Sequence, residues 1–210
     1  MIEVRIAELK DVFQLVRDAV LDALTGLGTG SLRESFDAVA AGEPAIARAL
    51  SLAGYPEPRL RDRGYRTLLR TIVGQQVSVA AAASVWRKLE AELGEEMAPE
   101  ALLAADFDAL RACGLSRQKQ GYARSLCELE VNGELDLMNL PADDEEAIAQ
   151  LTRIKGIGRW SAEIYLLFAE GRADIWPAGA LAVQAGLGRI LGHDERPSEK
   201  RVRELAERWR

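Results

Sequence analysis

An all-α fold is what this sequence predicts, and three observations carry the prediction. Apolar residues recur at helical spacing along most of the chain, serines stand where helices should begin, and glycine or proline stands where they should end. Strand-like alternation is confined to Ile2–Ile6.

Taken in order, residues 1–24 place Val12, Leu15, Val16, Val20 and Leu24 on one helical face, and the glycine-rich run Thr25–Gly30 interrupts them. Ser31 is expected to cap a helix reaching about Ala41, and Glu43–Leu52 reads as another. Gly54–Pro58 is a connector into an arginine cluster, Arg59, Arg61, Arg63, Arg66 and Arg70. Tyr65–Glu92 is the longest helical stretch, broken at Gly74-Gln75-Gln76-Val77-Ser78, where Ser78 can cap the second half. Ala80–Ala83 gives that half a slim face for close packing. Short helices follow at Pro99–Ala104 and Phe107–Cys113, the second ended by Gly114, a residue that tolerates positive φ. Ser116 caps a longer helix through Glu130. Helix-forming residues Glu145–Arg153 run into Lys155-Gly156-Ile157-Gly158, after which Trp160, Ile164, Leu167 and Phe168 resume a helical stripe. A proline-marked turn, Ala173–Leu181, leads to Val183, Leu187 and Ile190, and Ser198 caps a final helix, Glu199–Arg210.

At 210 residues and 23.0 kDa the chain fits one domain, or one fold of two lobes, and 48% hydrophobic residues mark it as soluble and globular. No positively charged start leads into an apolar run, and no apolar stretch is long enough to span a bilayer, so a cytoplasmic, nucleoid-associated location without a membrane partner is expected. Cys113 and Cys127 read as reduced core thiols. Two cysteines are too few for a four-cysteine iron–sulfur cluster. A net charge of −6 and a pI near 5.1 argue against a general nucleic-acid coat protein. The charge is uneven: the arginine cluster and Arg117, Lys119 and Arg124 contrast with acids at Glu90–Glu100 and Asp143–Glu146. Each basic group reads as a solvated helix face or as one wall of a DNA groove.

Two glycines flanking Ile157 let the backbone turn sharply and approach a ligand closely, while Ile157 plugs the gap between the helices. The helix that follows begins with N–H groups free to bind an anion, and a nucleic-acid backbone is an extended polyanion. A lone Gly-x-Gly reads first as an ordinary helix–helix turn.

The wider motifs separate these readings. Residues 151–162, LTRIKGIGRWSA, resemble the helix-hairpin-helix of DNA-repair glycosylases, L-x-x-[I/L]-x-G-[I/V]-G-x-x-[S/T]-A, at each specified position. IVGQQVS, ending at Ser78, resembles the IxGQQ[V/I]S signature of the alkylation-repair branch, DNA-3-methyladenine glycosylase II, and GLSRQKQGYARSL resembles its GLSxxKxxYxxxL element. The resemblance covers Arg59–Arg210. It implies the all-α helix-hairpin-helix glycosylase fold, two helical lobes with a cleft between them. Residues 1–58 would pack with the C-terminal lobe, 59–170 would form the lobe with the QQVS break and hairpin, and 171–210 the catalytic loop and last helices. That family continues after a segment like RELAERW with a Pro-aromatic-Arg step and one more helix, whereas this sequence stops at Arg210, which would leave apolar surface uncovered.

By the same resemblance, Gly156, Ile157, Gly158, Arg159 and Ser161 grip a DNA phosphate, and the carbonyls of Thr152, Ile154 and Ile157 hold a structural sodium or potassium ion. Gln76 wedges into the base stack in place of an extruded base; the bland reading is an amide solvating a helix break. Lys119 and Arg124 are further phosphate candidates. Trp160 is the candidate to stack on a methylated base, and Trp176 borders the catalytic loop; either reads otherwise as core. Relatives that also cut the backbone carry a lysine where Trp160 stands, so the implied activity is monofunctional and needs no catalytic cofactor. The loop DIWPAGAL resembles D-[I/V]-[W/F]-P-x-[G/D]-D-L but places Ala180 where the catalytic aspartate belongs. Asp174 and Glu163 are the nearest substitute acids, Asp174 reading first as a residue that fixes the loop by backbone hydrogen bonds, and His193 reads as a turn residue. Two functions stay open: a monomeric glycosylase acting on alkylated purines in double-stranded DNA, impaired at Ala180, or a non-catalytic DNA-binding protein of glycosylase ancestry.

Overall fold

The computed structural model describes residues 29–56 and 61–209, and among them the regular elements are helices with no strand. The expected all-α class is what is found. The strand expected at Ile2–Ile6, the apolar spacing of residues 1–24 and Arg59 lie outside the described residues. None of the described helices is long and apolar enough to cross a membrane.

The chain divides into two compact units, one of Met1–Arg61 with Leu166–Arg210 and one of Asp62–Tyr165. In the first unit, α1 (Thr29–Gly42) packs on α2 (Pro44–Ala53). Position 31 lies inside α1 and not at its cap. A glycine such as Gly30 costs a helix only about 1 kcal/mol, too little to stop it once neighbouring turns are formed. Pro44 starts α2, where its fixed φ suits a first helical residue, and Gly54 at φ +76 ends it.

The second unit is organised on α3 (Tyr65–Gly74), which packs against α4 (Val79–Leu93) and α7 (Arg117–Val131). α7 in turn packs on α5 (Pro99–Ala104) and α6 (Phe107–Ala112). The helical stripe Leu68, Leu69, Ile72 and Val73 is buried, as are Leu89 of α4, Leu110 of α6 and Leu126 and Cys127 of α7. Ser78 and Ser116 accept the N–H groups of Ala81 and Lys119 as expected caps. Asp106 and Asp143 do the same for α6 and for α8 (Asp144–Leu151). Gly114 takes φ +105 against Val85. Both cysteines are free and buried, and burial pushes the Cys127 thiol up to about 11. Leu69→Ala should lower the unfolding free energy by about 2–5 kcal/mol through lost burial and a residual cavity, read as a lower urea midpoint at unchanged slope.

α9 (Arg159–Phe168) leaves the second unit after Tyr165. In the first unit, the guanidinium of Arg61 lies 5.0 Å over the Phe168 ring, and its N–H meets the Phe168 carbonyl at 3.0 Å. That unit is completed by α10 (Leu181–Ile190) and α11 (Glu199–Ala206). Ala178, Val183, Leu187, Val202 and Leu205 form its apolar cluster. Ser198 caps α11 through the Arg201 N–H. The last helix is α-helical to Ala206 and tightens to a 3-10 turn over Glu207–Trp209, and the expected end at Arg210 lies outside the described residues.

Candidate functional site

The hairpin is built where α8 runs out of helix. Thr152 keeps helical angles as the C-cap, and the buried Ile154 then turns the chain, its carbonyl accepting the Ile157 N–H at 3.0 Å. Gly156 sits at φ +81, and a Cβ there would lie inside the Tyr122 ring, well under the 3.0 Å that real Cβ contacts keep. Only a glycine meets both demands. Ile157 is buried between the helices, whereas Gly158 faces open space. The Lys155 N–H is taken by Ser125 Oγ at 3.2 Å. Among the described residues no acceptor takes the N–H groups of Gly156, Gly158 or Trp160. Those donors lie at and just before the N-terminus of α9, where the aligned peptide dipoles favour an anion.

The QQVS break meets this hairpin. Gln75 ends α3 and its Nε2 donates to the Gly156 carbonyl at 2.9 Å. Gln76 is exposed at φ +55, an uncommon conformation for a residue with a side chain. Val77 and Val79, which follow it, are 43% and 89% exposed, so the break presents apolar as well as amide surface to solvent. Trp160 is exposed, as a stacking surface must be. Neither Gln75 nor Tyr122 was singled out from the sequence, because both act through partners far along the chain.

Several cations named from sequence already have partners within the chain. Lys119 Nζ donates to the Val73 carbonyl at 2.7 Å, and burial lowers its pKa. Arg124 binds the carbonyls of Leu103 and Ala105 at 2.8 and 2.7 Å. Arg66 and Arg70 lie over the Trp86 ring. Arg159 is held by Glu145, with Nη1 2.8 Å from Oε2, and by the buried Glu163 at 2.9 Å; these carboxylates raise its pKa. Of the hairpin's named residues, Arg159 and the buried Ser161 therefore offer an anion their N–H groups rather than their side chains. Glu163, engaged with Arg159, is not poised as a substitute acid.

The catalytic-loop candidate lies in the other unit. Trp176 is half-buried against the apolar cluster and meets Trp209 at a centroid distance of 5.7 Å, a packing role. The turn is closed by Ala178 N–H to the Trp176 carbonyl and Ala180 N–H to the Pro177 carbonyl, at 2.7 and 3.0 Å. Buried Gln184 braces it by donating to the Ala178 carbonyl at 2.8 Å. Ala180 is the N-cap of α10, extended at φ −72 and ψ 121, and gives that helix no side-chain cap. A methyl group there can neither accept a hydrogen bond nor stabilise a cation. Asp174 is exposed at the start of the loop, and the His193 N–H closes the turn after α10 on the Gly188 carbonyl.

Comparison with known proteins gives relatives by sequence and by fold. The family model for the HhH-GPD superfamily base excision DNA repair proteins matches residues 69–210. The chain is 33% identical over 146 residues to DNA-3-methyladenine glycosylase 1 of Schizosaccharomyces pombe, covering 66% of this chain and spanning 64% of that protein's length. The solved DNA-3-methyladenine glycosidase of Bacillus halodurans superposes with a TM-score of 0.76 at 30% identity, covering 83% of this chain and 82% of the other. A Schizosaccharomyces pombe 3-methyladenine DNA glycosylase in complex with abasic DNA gives 0.73 at 26%, with coverages of 84% and 89%.

Proposed function

The chain belongs to the HhH-GPD superfamily of base excision DNA repair proteins, and from that premise we propose that it is a monofunctional DNA glycosylase of the 3-methyladenine type, slowed by Ala180. Its substrate is double-stranded DNA carrying an alkylated purine. The observation that carries this reading is the hairpin: a left-handed Gly156 locked on Tyr122, an open Gly158, and outward N–H groups at the start of α9. Such donors hold a phosphate without reading sequence, which suits an enzyme that must search any duplex.

A target base is reached only when it leaves the stack. Gln76, with its backbone already in the left-handed region, fills the vacated space. Trp160 offers its exposed face to an electron-poor methylated ring. Breaking the N-glycosidic bond then builds positive charge on the sugar, which a carboxylate would stabilise and Ala180 does not. The base leaves nonetheless at some rate, because methylation already makes it a good leaving group. Without a lysine at position 160 there is no amine to form a Schiff base, so the sugar–phosphate backbone is not cut.

Thr152, Ile154 and Ile157 would hold a sodium or potassium ion through backbone carbonyls. The donor set fits: hard neutral oxygens at the negative end of α8, with the Thr152 carbonyl accepting no N–H among the described residues. Its contribution is to brace the turn. The Ala180 methyl group also favours a second reading, a protein that binds lesions and holds them uncleaved.

Gly158→Val tests the hairpin. The added side chain enters open space, so melting should be little changed, while duplex affinity should fall by about 10- to 100-fold if one or two charge-assisted hydrogen bonds to phosphate are lost. Fluorescence anisotropy on lesion-free and lesion-containing duplexes measures it; unchanged affinity for both removes the hairpin as the clamp.

A further inference from the structure

We propose that Gln75 is a positioning residue that links base extrusion to the phosphate grip. Its side-chain amide ties the α3–α4 break to the hairpin, so that Gln76 enters the duplex at a fixed offset from the clamped phosphate. The inference rests on the DNA reading above and assigns a distinct task to the first glutamine of the pair.

Three observations carry it. Gln75 Nε2 reaches across 81 residues of sequence to the Gly156 carbonyl at 2.9 Å. That bond engages the oxygen side of the hairpin and leaves its N–H groups to an anion. Gln76, the next residue, holds a left-handed backbone at φ +55 that nothing in its own chemistry favours over an ordinary turn. The preceding residue must therefore be anchored if Gln76 is to point the same way in every molecule.

The fold itself does not need this contact. The end of α3 is already fixed to α7 by Lys119 Nζ on the Val73 carbonyl, and Gly156 is fixed to α7 by the Tyr122 ring, whose hydroxyl is bonded by Gln118. Both ends of the Gln75 bridge are thus referenced to one helix without it. What the bridge adds is the orientation of the break, where the exposed Gln76, Val77 and Val79 lie. An amide of this length is required: asparagine is one methylene short, and methionine keeps the length but cannot donate.

The test separates grip from insertion. Grip is read as affinity for a lesion-free duplex. Insertion is read as the fluorescence rise of 2-aminopurine placed opposite a tetrahydrofuran abasic-site analogue. Gln75→Met and Gln75→Asn are expected to melt and to bind the lesion-free duplex as the parent does. Their insertion equilibrium should fall by about 2- to 10-fold, the worth of one net hydrogen bond, toward the level of Gln76→Ala. A parent-like fluorescence rise in Gln75→Met overturns the proposal, as does an equal loss of grip and insertion, which would make Gln75 part of the clamp. If the parent binds neither duplex, the DNA reading fails and this proposal fails with it. If the parent binds both and the Gln75 variants behave identically to it, only the bridge is lost.

Discussion

Ala180→Asp is expected to release 3-methyladenine and related N-methylated purines from DNA at about 10²- to 10³-fold the rate of the chain as it stands, the usual worth of one well-placed electrostatic group in a partly dehydrated site. The loop is already shaped for the change. Position 180 is the N-cap of α10, at φ −72 and ψ 121, and its carbonyl already accepts the Gln184 N–H at 3.0 Å. An aspartate there meets the first free N–H groups of α10 and the positive end of its dipole. Both hold its pKa below the ordinary carboxylate value, so it is ionised at neutral pH. Gln184 and the Pro177 carbonyl keep the turn fixed around it.

The same geometry gives an independent readout. Capping should raise stability by about 0.5–2 kcal/mol, a few degrees in melting temperature. Because the folded pKa is depressed, that gain is present above the unfolded pKa of about 3.9 and disappears as pH falls through the folded value. Base release from methylated DNA is measured for both proteins, with binding and melting alongside. A stabilised variant that still releases nothing while binding DNA would favour the non-catalytic reading. Equal release by both proteins would move the chemistry to another acid, with Asp174 the first to replace.

How much of this was legible in the sequence depends on the range of the interaction that fixes each feature. Caps are local, so Ser78, Ser116 and Ser198 could be placed from a serine before an apolar stripe. The glycine pair is local too, and Gly156 and Gly158 read as a turn. Their different duties did not, since one glycine is covered by Tyr122 from α7 and the other by nothing. Charges were the least legible. Lys119 and Arg124 sit in a basic-looking segment, yet each reaches back to carbonyls at Val73, Leu103 and Ala105, and only tertiary packing brings those within range. Net acidity is a weak objection to DNA binding by this chain, because phosphate can be held by backbone N–H groups. The hairpin presents backbone donors, while Lys119, Arg124 and Arg159, which a composition count would credit to binding, are already engaged by carbonyls or carboxylates of the chain itself.

The second large effect is expected at Gly156. Gly156→Ala should lower the unfolding free energy by about 2–5 kcal/mol, combining about 1–2 for a side chain held at positive φ with about 1–3 for overpacking against a ring that cannot yield freely. On the scale of this chain that is a drop on the order of 10 °C in melting temperature. Gly158→Ala, into open space and without a positive φ, should cost less than about 1 kcal/mol. The two contributions at Gly156 are separable by a double-mutant cycle. Tyr122→Ala removes the ring, so in that background Gly156→Ala should keep only the backbone part, and the cycle should show about 1–3 kcal/mol of favourable coupling. Additive costs would mean that the ring shifts aside and that Gly156 is required for its backbone alone. Gly156→Ala as stable as Gly158→Ala would contradict the left-handed turn itself, and with it the contact between the Gly156 peptide and the Tyr122 ring.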